Sequence, residues 1–154
     1  MKKFLFLLLP LALVFTSHAQ PRLGVGATIG SAMDKTNGGV FGLDLRFQQQ
    51  LGKGPVHWIV TPGYAHFVEL QNGFFVLKSG LKTMIGSGMY LTGEIGIAEY
   101  TQGGESFVFT PSIGGVINPN WDLSLKYEQY SRYGSQMALR LAYAFSLKRK
   151  AGVK

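Results

Sequence analysis

Apolar and polar positions alternate with a period of two along most of this chain. They do so in segments of about ten residues, which is the period of β-strands rather than helices. In the first segment Leu23, Val25, Ala27 and Ile29 alternate with Gly24, Gly26, Thr28 and Gly30. In the second, Phe41, Leu43, Leu45 and Phe47 alternate with Gly42, Asp44, Arg46 and Gln48. The third sets Trp58, Val60, Pro62 and Tyr64 against Ile59, Thr61, Gly63 and Ala65, and the fourth sets Phe75, Leu77, Leu81 and Ile85 against Lys78, Gly80 and Lys82. Leu91, Ile95 and Ile97 oppose Thr92, Glu94 and Gly96; Phe107, Phe109, Pro111 and Ile113 oppose Thr110, Ser112 and Gly114. The last two segments set Trp121, Leu123, Leu125 and Tyr127 against Ser124, Lys126 and Glu128, and Met137, Leu139, Leu141, Tyr143 and Phe145 against Ala138, Arg140, Ala142 and Ala144. Turn-forming clusters separate them at 33–38, 50–55, 69–73, 86–88, 101–106, 118–120 and 131–135. The pattern predicts an all-β fold: an eight-stranded antiparallel up-and-down barrel with loops of five to six residues at the end that holds 33–38, 69–73, 101–106 and 131–135.

Alternation does not say which face meets water. A soluble carrier barrel turns its apolar face inward, and a transmembrane β-barrel turns it outward. Glycine decides for the second. Gly24, Gly26, Gly30, Gly42, Gly63, Gly80, Gly96 and Gly114 share the face that carries the charges. Glycine weakens a strand, so it needs a reason, and a narrow eight-stranded interior supplies one. Gly93 and Gly115 fall on the apolar face and go against the trend. The aromatics agree: Phe47, Trp58, Trp121, Tyr143 and Phe145 fall near one rim, and Phe41, Tyr64, Phe75, Phe107 and Tyr127 near the other. Two belts of this kind are what membrane interfaces select.

The N-terminus changes the picture by adding an export signal. Lys2 and Lys3 precede an apolar run from Phe4 to Phe15, broken by Pro10, and Ser17-His18-Ala19 offers a small-x-small cleavage site. The run is too short for a spanning helix. We therefore expect a signal peptide at 1–19, a barrel at 20–147 and a basic tail at 148–154. The net charge of +7 is concentrated at the ends. Without Lys2, Lys3, Lys148, Arg149, Lys150 and Lys154, the body carries nine Lys and Arg against eight Asp and Glu. That distribution gives no nucleic-acid footprint. The absence of cysteine excludes disulfides, a lipid-modified cysteine and thiolate metal sites. With 21 glycines, 13% aromatics and 15% charged residues, the composition suits a β-protein in an apolar solvent better than a soluble domain.

The polar face carries Asp44, Arg46, Lys78, Lys82, Glu94, Lys126, Glu128 and Arg140. Facing inward, these acids and bases can pair across a small lumen. We expect a closed polar plug that stabilises the barrel, with pairs such as Glu128–Arg140 on neighbouring strands; a narrow solute channel is the alternative. No metal or cofactor site is expected. His18 falls in the signal, and His57 and His66 stand roughly 30 Å apart along an extended strand. GVG and GIG are not followed by a helix, so they are not phosphate loops.

The stretches VTPGYAHF (60–67), LKSGLKTMIGSGMYLTGEIGIAEY (77–100), FTPSIGGVINPNWDLSLKYEQYS (109–131) and LRLAYAF (139–145) make the chain similar to small OmpA/OmpX-like outer-membrane β-barrel proteins. The resemblance covers nearly the whole mature chain and implies a location in the bacterial outer membrane, with outer-membrane lipids as partners. It also implies that Leu141, Tyr143 and Phe145 form the C-terminal signal read by the barrel-assembly machinery, although such signals usually end at the aromatic and this chain continues. Some small barrels act on lipid A. A hydrolase of that kind needs an outward nucleophile and base at the interface. His66, Glu69 and Glu99 lie near the predicted outer rim, but no His-x-Ser motif accompanies them. We read His66 as an interfacial residue and the chain as non-enzymatic, with a structural or interaction role.

Overall fold

The computed structural model describes residues 21–33, 38–69 and 71–147. The expected signal peptide and basic tail lie outside the described residues. Eight antiparallel strands follow one another: β1 Arg22–Ala32, β2 Gly39–Gln50, β3 Val56–Phe67, β4 Asn72–Ile85, β5 Met89–Tyr100, β6 Glu105–Val116, β7 Trp121–Tyr130 and β8 Gly134–Ser146. Each pairs with the next, and β8 returns to β1 to close the barrel. At the seam Leu23 stands opposite Phe145 and Gly30 opposite Ala138. Closure leaves no unpaired edge strand; the β2–β3 and β6–β7 ladders are interrupted only beside Pro62 and Pro111, which have no amide hydrogen to donate.

One end of the barrel holds the start of β1, the finish of β8 and the turns 51–55, 86–88 and 117–120; we call it the terminal end. The opposite end holds the finish of β1 and β3, the start of β2 and β4, and the turns 101–104 and 131–133. Those at 101–104 and 131–133 are two residues shorter than the sequence pattern predicts, 51–55 is one shorter, 86–88 falls where the pattern sets it, and 117–120 is one residue longer. Asn72, Gly73, Glu105, Ser106, Gly134 and Ser135 read as turn residues, yet their backbones continue the ladder. Turn-rich composition marked the neighbourhood of each loop correctly but overstated the length of several, because small polar residues pair as readily as others at a strand end. The tight turn after β4 depends on glycine: Gly86 and Gly88 have φ of 73° and 104°, a region L side chains rarely adopt.

The sides sort as the alternation predicts. Leu43 is 66% exposed, and Leu125 and Leu141 also point outward at 41% and 44%. Arg46 and Lys126 point inward, 6% and 8% exposed. Inward glycines let the strands approach closely: a Cβ on Gly96 would lie 2.0 Å from the Leu77 carbonyl oxygen, and one on Gly80 2.0 Å from that of Gly93.

Candidate functional site: the lumen

The lumen is filled, and its filling is layered. Nearest the terminal end, Arg140 on β8 reaches Asp44 on β2, donating from Nε to Oδ2 at 2.8 Å and to Oδ1 at 3.0 Å. The same guanidinium donates through Nη1 to Asp122 Oδ1 at 3.3 Å. Asp122 also accepts from Tyr90 Oη at 2.9 Å and lies 4.0 Å from Lys82 Nζ. The Lys82 ammonium sits 3.8 Å above the centre of the Tyr90 ring, a cation–π contact.

A second cluster crosses from β2 to β5. Arg46 Nη2 donates to Glu94 Oε2 at 2.8 Å, and Thr61 Oγ1 donates to Glu94 Oε1 at 2.6 Å. A third centres on Glu128, which takes Lys78 and Lys126 as ion-pair partners, the latter at 3.3 Å. Glu128 also accepts from Tyr130 Oη at 3.3 Å and from Gln136 Nε2. Buried charges are tolerated only when paired and hydrogen-bonded, and each carboxylate here meets both conditions.

Beyond Tyr130 the lumen becomes apolar. Val40, Ala65, Phe67, Phe74, Val76, Ala98 and Val108 form a buried cluster with Tyr130 at the opposite end. The Phe74 and Tyr130 rings stack 5.0 Å apart, and Phe67 packs edge-on to both. The cavity between this cluster and the Glu128 group has a volume of about 20 Å³, room for one or two waters and no more.

All eight charged residues singled out from the sequence lie on the lumen side, but not in the expected pairs. Glu128 and Arg140 do not meet. The β7–β8 register puts Gln136 opposite Glu128 and Ser124 opposite Arg140, so the two charges are offset by four residues along the strands. At about 3.3 Å per residue that is some 13 Å. Arg140 turns instead toward β2 and Asp122. The expectation of a wholly polar plug also needs correction, because the opposite end is closed by aromatic rings. The sequence reading passed over Asp122, Tyr90, Tyr130, Gln136, Phe67 and Phe74. Parity contained the signal for all six: Asp122 and Tyr130 share the phase of Lys126 and Glu128, and Phe74 shares that of Lys78.

On the outside, two aromatic groups flank the terminal end. Phe47 meets Trp58 edge-on at 6.3 Å, and Tyr143 lies between Trp121 and Phe145 at 5.0 and 4.7 Å. Leu141, Tyr143 and Phe145 are thus on the outer face of β8. Near the opposite rim His66 stacks on Tyr64, with Nδ1 3.4 Å from the tyrosine Oη. Glu99 stands opposite Glu105 in the β5–β6 register. Among the described residues no group of three or more histidines, cysteines or carboxylates could hold a metal ion.

No family model matches the chain, and no curated protein matches it. Solved structures do. The chain is similar to a de novo designed transmembrane β-barrel, with a TM-score of 0.63 and 15% identity, covering 84% of this chain and 100% of that one. It is also similar to the outer membrane enzyme PagL, with a TM-score of 0.58 and 14% identity over 80% of this chain and 99% of that one. A third likeness is to Neisserial surface protein A, with a TM-score of 0.52 and 10% identity over 82% and 95%. At these identities the likeness is one of fold, a closed eight-stranded barrel of the kind found in outer membranes. It does not carry the OmpA/OmpX-like family name to this chain.

Proposed function

We propose that this protein is an integral outer-membrane β-barrel, exported by its N-terminal signal, that neither catalyses a reaction nor conducts solutes and that serves the envelope as a structural or interaction protein. The observation that carries the reading is the inversion of the two faces: Leu43 is 66% exposed, while Arg46, two strand positions past Asp44, is 6% exposed. Water would favour the opposite arrangement, and hydrocarbon favours this one. In this reading the terminal end faces the periplasm, the two aromatic groups there lie at the interface, and the short connections at the opposite end face outward. Leu141, Tyr143 and Phe145 would then be available on the outer face of the last strand for the assembly machinery.

The aromatic closure at one end and the paired charges behind it support a non-conducting lumen. His66 engages a tyrosine hydroxyl, which supports an interfacial rather than a catalytic role.

The chain has no cysteine, which makes a direct test simple. Leu43→Cys and Leu125→Cys, expressed with the full signal, should fractionate with the outer membrane and resist water-soluble maleimides until the membrane is dissolved. Recovery of the wild-type chain as a soluble periplasmic monomer, or free labelling of both positions in intact membranes, would refute the reading. Planar-bilayer recording addresses conduction separately, and steady ion flux above background would count against a closed lumen.

A further inference from the structure

We propose that the outer face of β3–β6, at the rim opposite the terminal end, binds an amphiphile with an ammonium head and an alkyl chain. The register builds two rows there. The rim row runs Tyr64, Phe75, Glu99, Glu105, each opposite the next on neighbouring strands. The row below it runs Pro62, Leu77, Ile97, Phe107. Glu99 and Glu105 are exposed, and among the described residues neither carboxylate has a hydrogen-bond or ion-pair partner. Like charges directly opposite across a ladder destabilise it, so the pair gains from a cation held against it. Phe75, beside Glu99, is 61% exposed, and its ring lies 5.1 Å from that of Tyr64. An exposed aromatic ring next to a carboxylate is a setting that ammonium groups favour.

The same residues border an open groove. Pro62, Phe75, Leu77 and Ile97 line it together with Glu99 and Glu105, and its volume is about 350 Å³. Sites for small ligands run from about 300 to 1,000 Å³. Negative charge at the rim and apolar surface below it thus belong to one groove, and that combination selects the occupant. A metal ion would use the carboxylates and leave the apolar row bare. A neutral alkyl chain would cover the apolar row and leave the carboxylates without a counter-charge. An amphiphile with an ammonium head uses both. The larger outer groove beside Gly93, about 850 Å³, has no charged residue in its lining and offers such a head no partner. The inference rests on the reading of this face as lipid-facing and adds the class of lipid that the face selects.

The experiment uses the refolded full-length barrel, isotope-labelled, in neutral dodecyl maltoside micelles, with compact gel migration reporting that it has folded. Dodecyltrimethylammonium, dodecanol, tetramethylammonium and magnesium are titrated in separately, and amide chemical shifts report the place and the affinity. With dodecyltrimethylammonium the shifts should saturate at Phe75, Leu77, Ile97, Glu99 and Glu105, and binding should be about tenfold tighter than that of dodecanol, as two exposed ion pairs would supply. Glu99→Gln combined with Glu105→Gln should bring the two alkyl probes to equal affinity. Glu69→Gln removes an exposed charge of the same rim outside the groove and should leave the difference intact. Leu77→Trp fills the groove and should weaken both alkyl probes. Magnesium or tetramethylammonium bound as tightly as dodecyltrimethylammonium, shifts centred on Gly93 instead, or a preference unchanged in the double glutamine variant would each overturn the proposal. On a folded barrel those results leave the membrane reading standing, whereas a chain that forms no compact barrel in micelles overturns both.

Discussion

Arg140 clasps Asp44 by passing directly over Gly26. Arg140 is on β8 and Asp44 on β2; Gly26 lies on β1 between them, paired with Asp44 on one side and Ala142 on the other. A Cβ on Gly26 would come within 2.6 Å of Arg140 Nη2 and 2.7 Å of the guanidinium carbon. The bare backbone is what lets a charge pair bridge the seam where the barrel closes. Gly26→Ala should therefore displace the guanidinium and leave both charges imperfectly paired. Breaking a buried pair costs about 3–5 kcal/mol when one partner is lost. Arg140→Met should fall in that range and Gly26→Ala near its lower end, since the arginine can retreat partway. Urea titration of the refolded barrel measures both. A Gly26→Ala variant as stable as wild type would show that the clasp has slack the geometry does not reveal.

Glu128 and Lys126 should respond unequally to removal. Glu128 is shared by Lys78, Lys126, Tyr130 and Gln136. Glu128→Gln keeps the shape but strands two buried ammonium groups, and we expect a loss of about 3–5 kcal/mol. Lys126→Met leaves Glu128 with Lys78 and its three neutral donors, Thr110, Tyr130 and Gln136, and relieves repulsion between the lysines. It should stay within about 1 kcal/mol of wild type. Equal effects in the same titration would mean that Lys126, not Lys78, is the main partner.

The face of each side chain was legible in the sequence, and its partner was not. Strand parity is local: once Lys126 is inward, Asp122, Ser124, Glu128 and Tyr130 follow, and so do Phe74 and Val76 once Lys78 is. The bulk of Phe74 and Tyr130 hid this, because aromatic residues read as lipid-facing even when their phase says otherwise. Pairing across the lumen depends on register and on the stagger of strands around the closed barrel, which no single segment encodes. Glu128 and Arg140 look adjacent along the alternation, but the register sets Arg140 opposite Ser124 and frees it to reach two strands away. The turn at 86–88 was located and sized correctly, but those after β5 and β7 were read two residues too long, since Gly and Ser at strand ends do not announce whether their amides are paired.

Gly96 offers a steric test of the same close packing. It stands opposite Lys78 in the β4–β5 register, and a Cβ there would lie 2.0 Å from the Leu77 carbonyl oxygen. The nearest atoms are all backbone of Leu77 and Lys78 on β4, so no flexible group is there to yield. Gly96→Ala should cost about 1–3 kcal/mol, as overpacking of a filled interior does, and should lower the temperature at which the compact gel form is lost. Gly93→Ala, three residues earlier on the same strand and on the opposite, outer face with open space around it, is the control and should be near neutral.

Leu43→Arg separates the membrane reading from a soluble one, because the two predict different sizes for the same change. Leu43 is the most exposed of the large outward side chains on the first two strands, opposite Ala27 on β1 and Tyr64 on β3. On a protein in water, adding charge at so exposed a position changes stability by no more than about 0.5 kcal/mol. On a barrel facing hydrocarbon, an arginine near the bilayer midplane costs about 2–4 kcal/mol, falling toward zero at the interfaces. Refolding Leu43→Arg into lipid vesicles and titrating with guanidinium chloride should give a loss of at least about 2 kcal/mol. The same change at Leu51, in a turn at the terminal end, should cost much less. That contrast in depth is the signature to seek, since a generally fragile barrel would lose stability at both positions. Equal and negligible effects at the two sites would mean that the apolar face does not meet hydrocarbon.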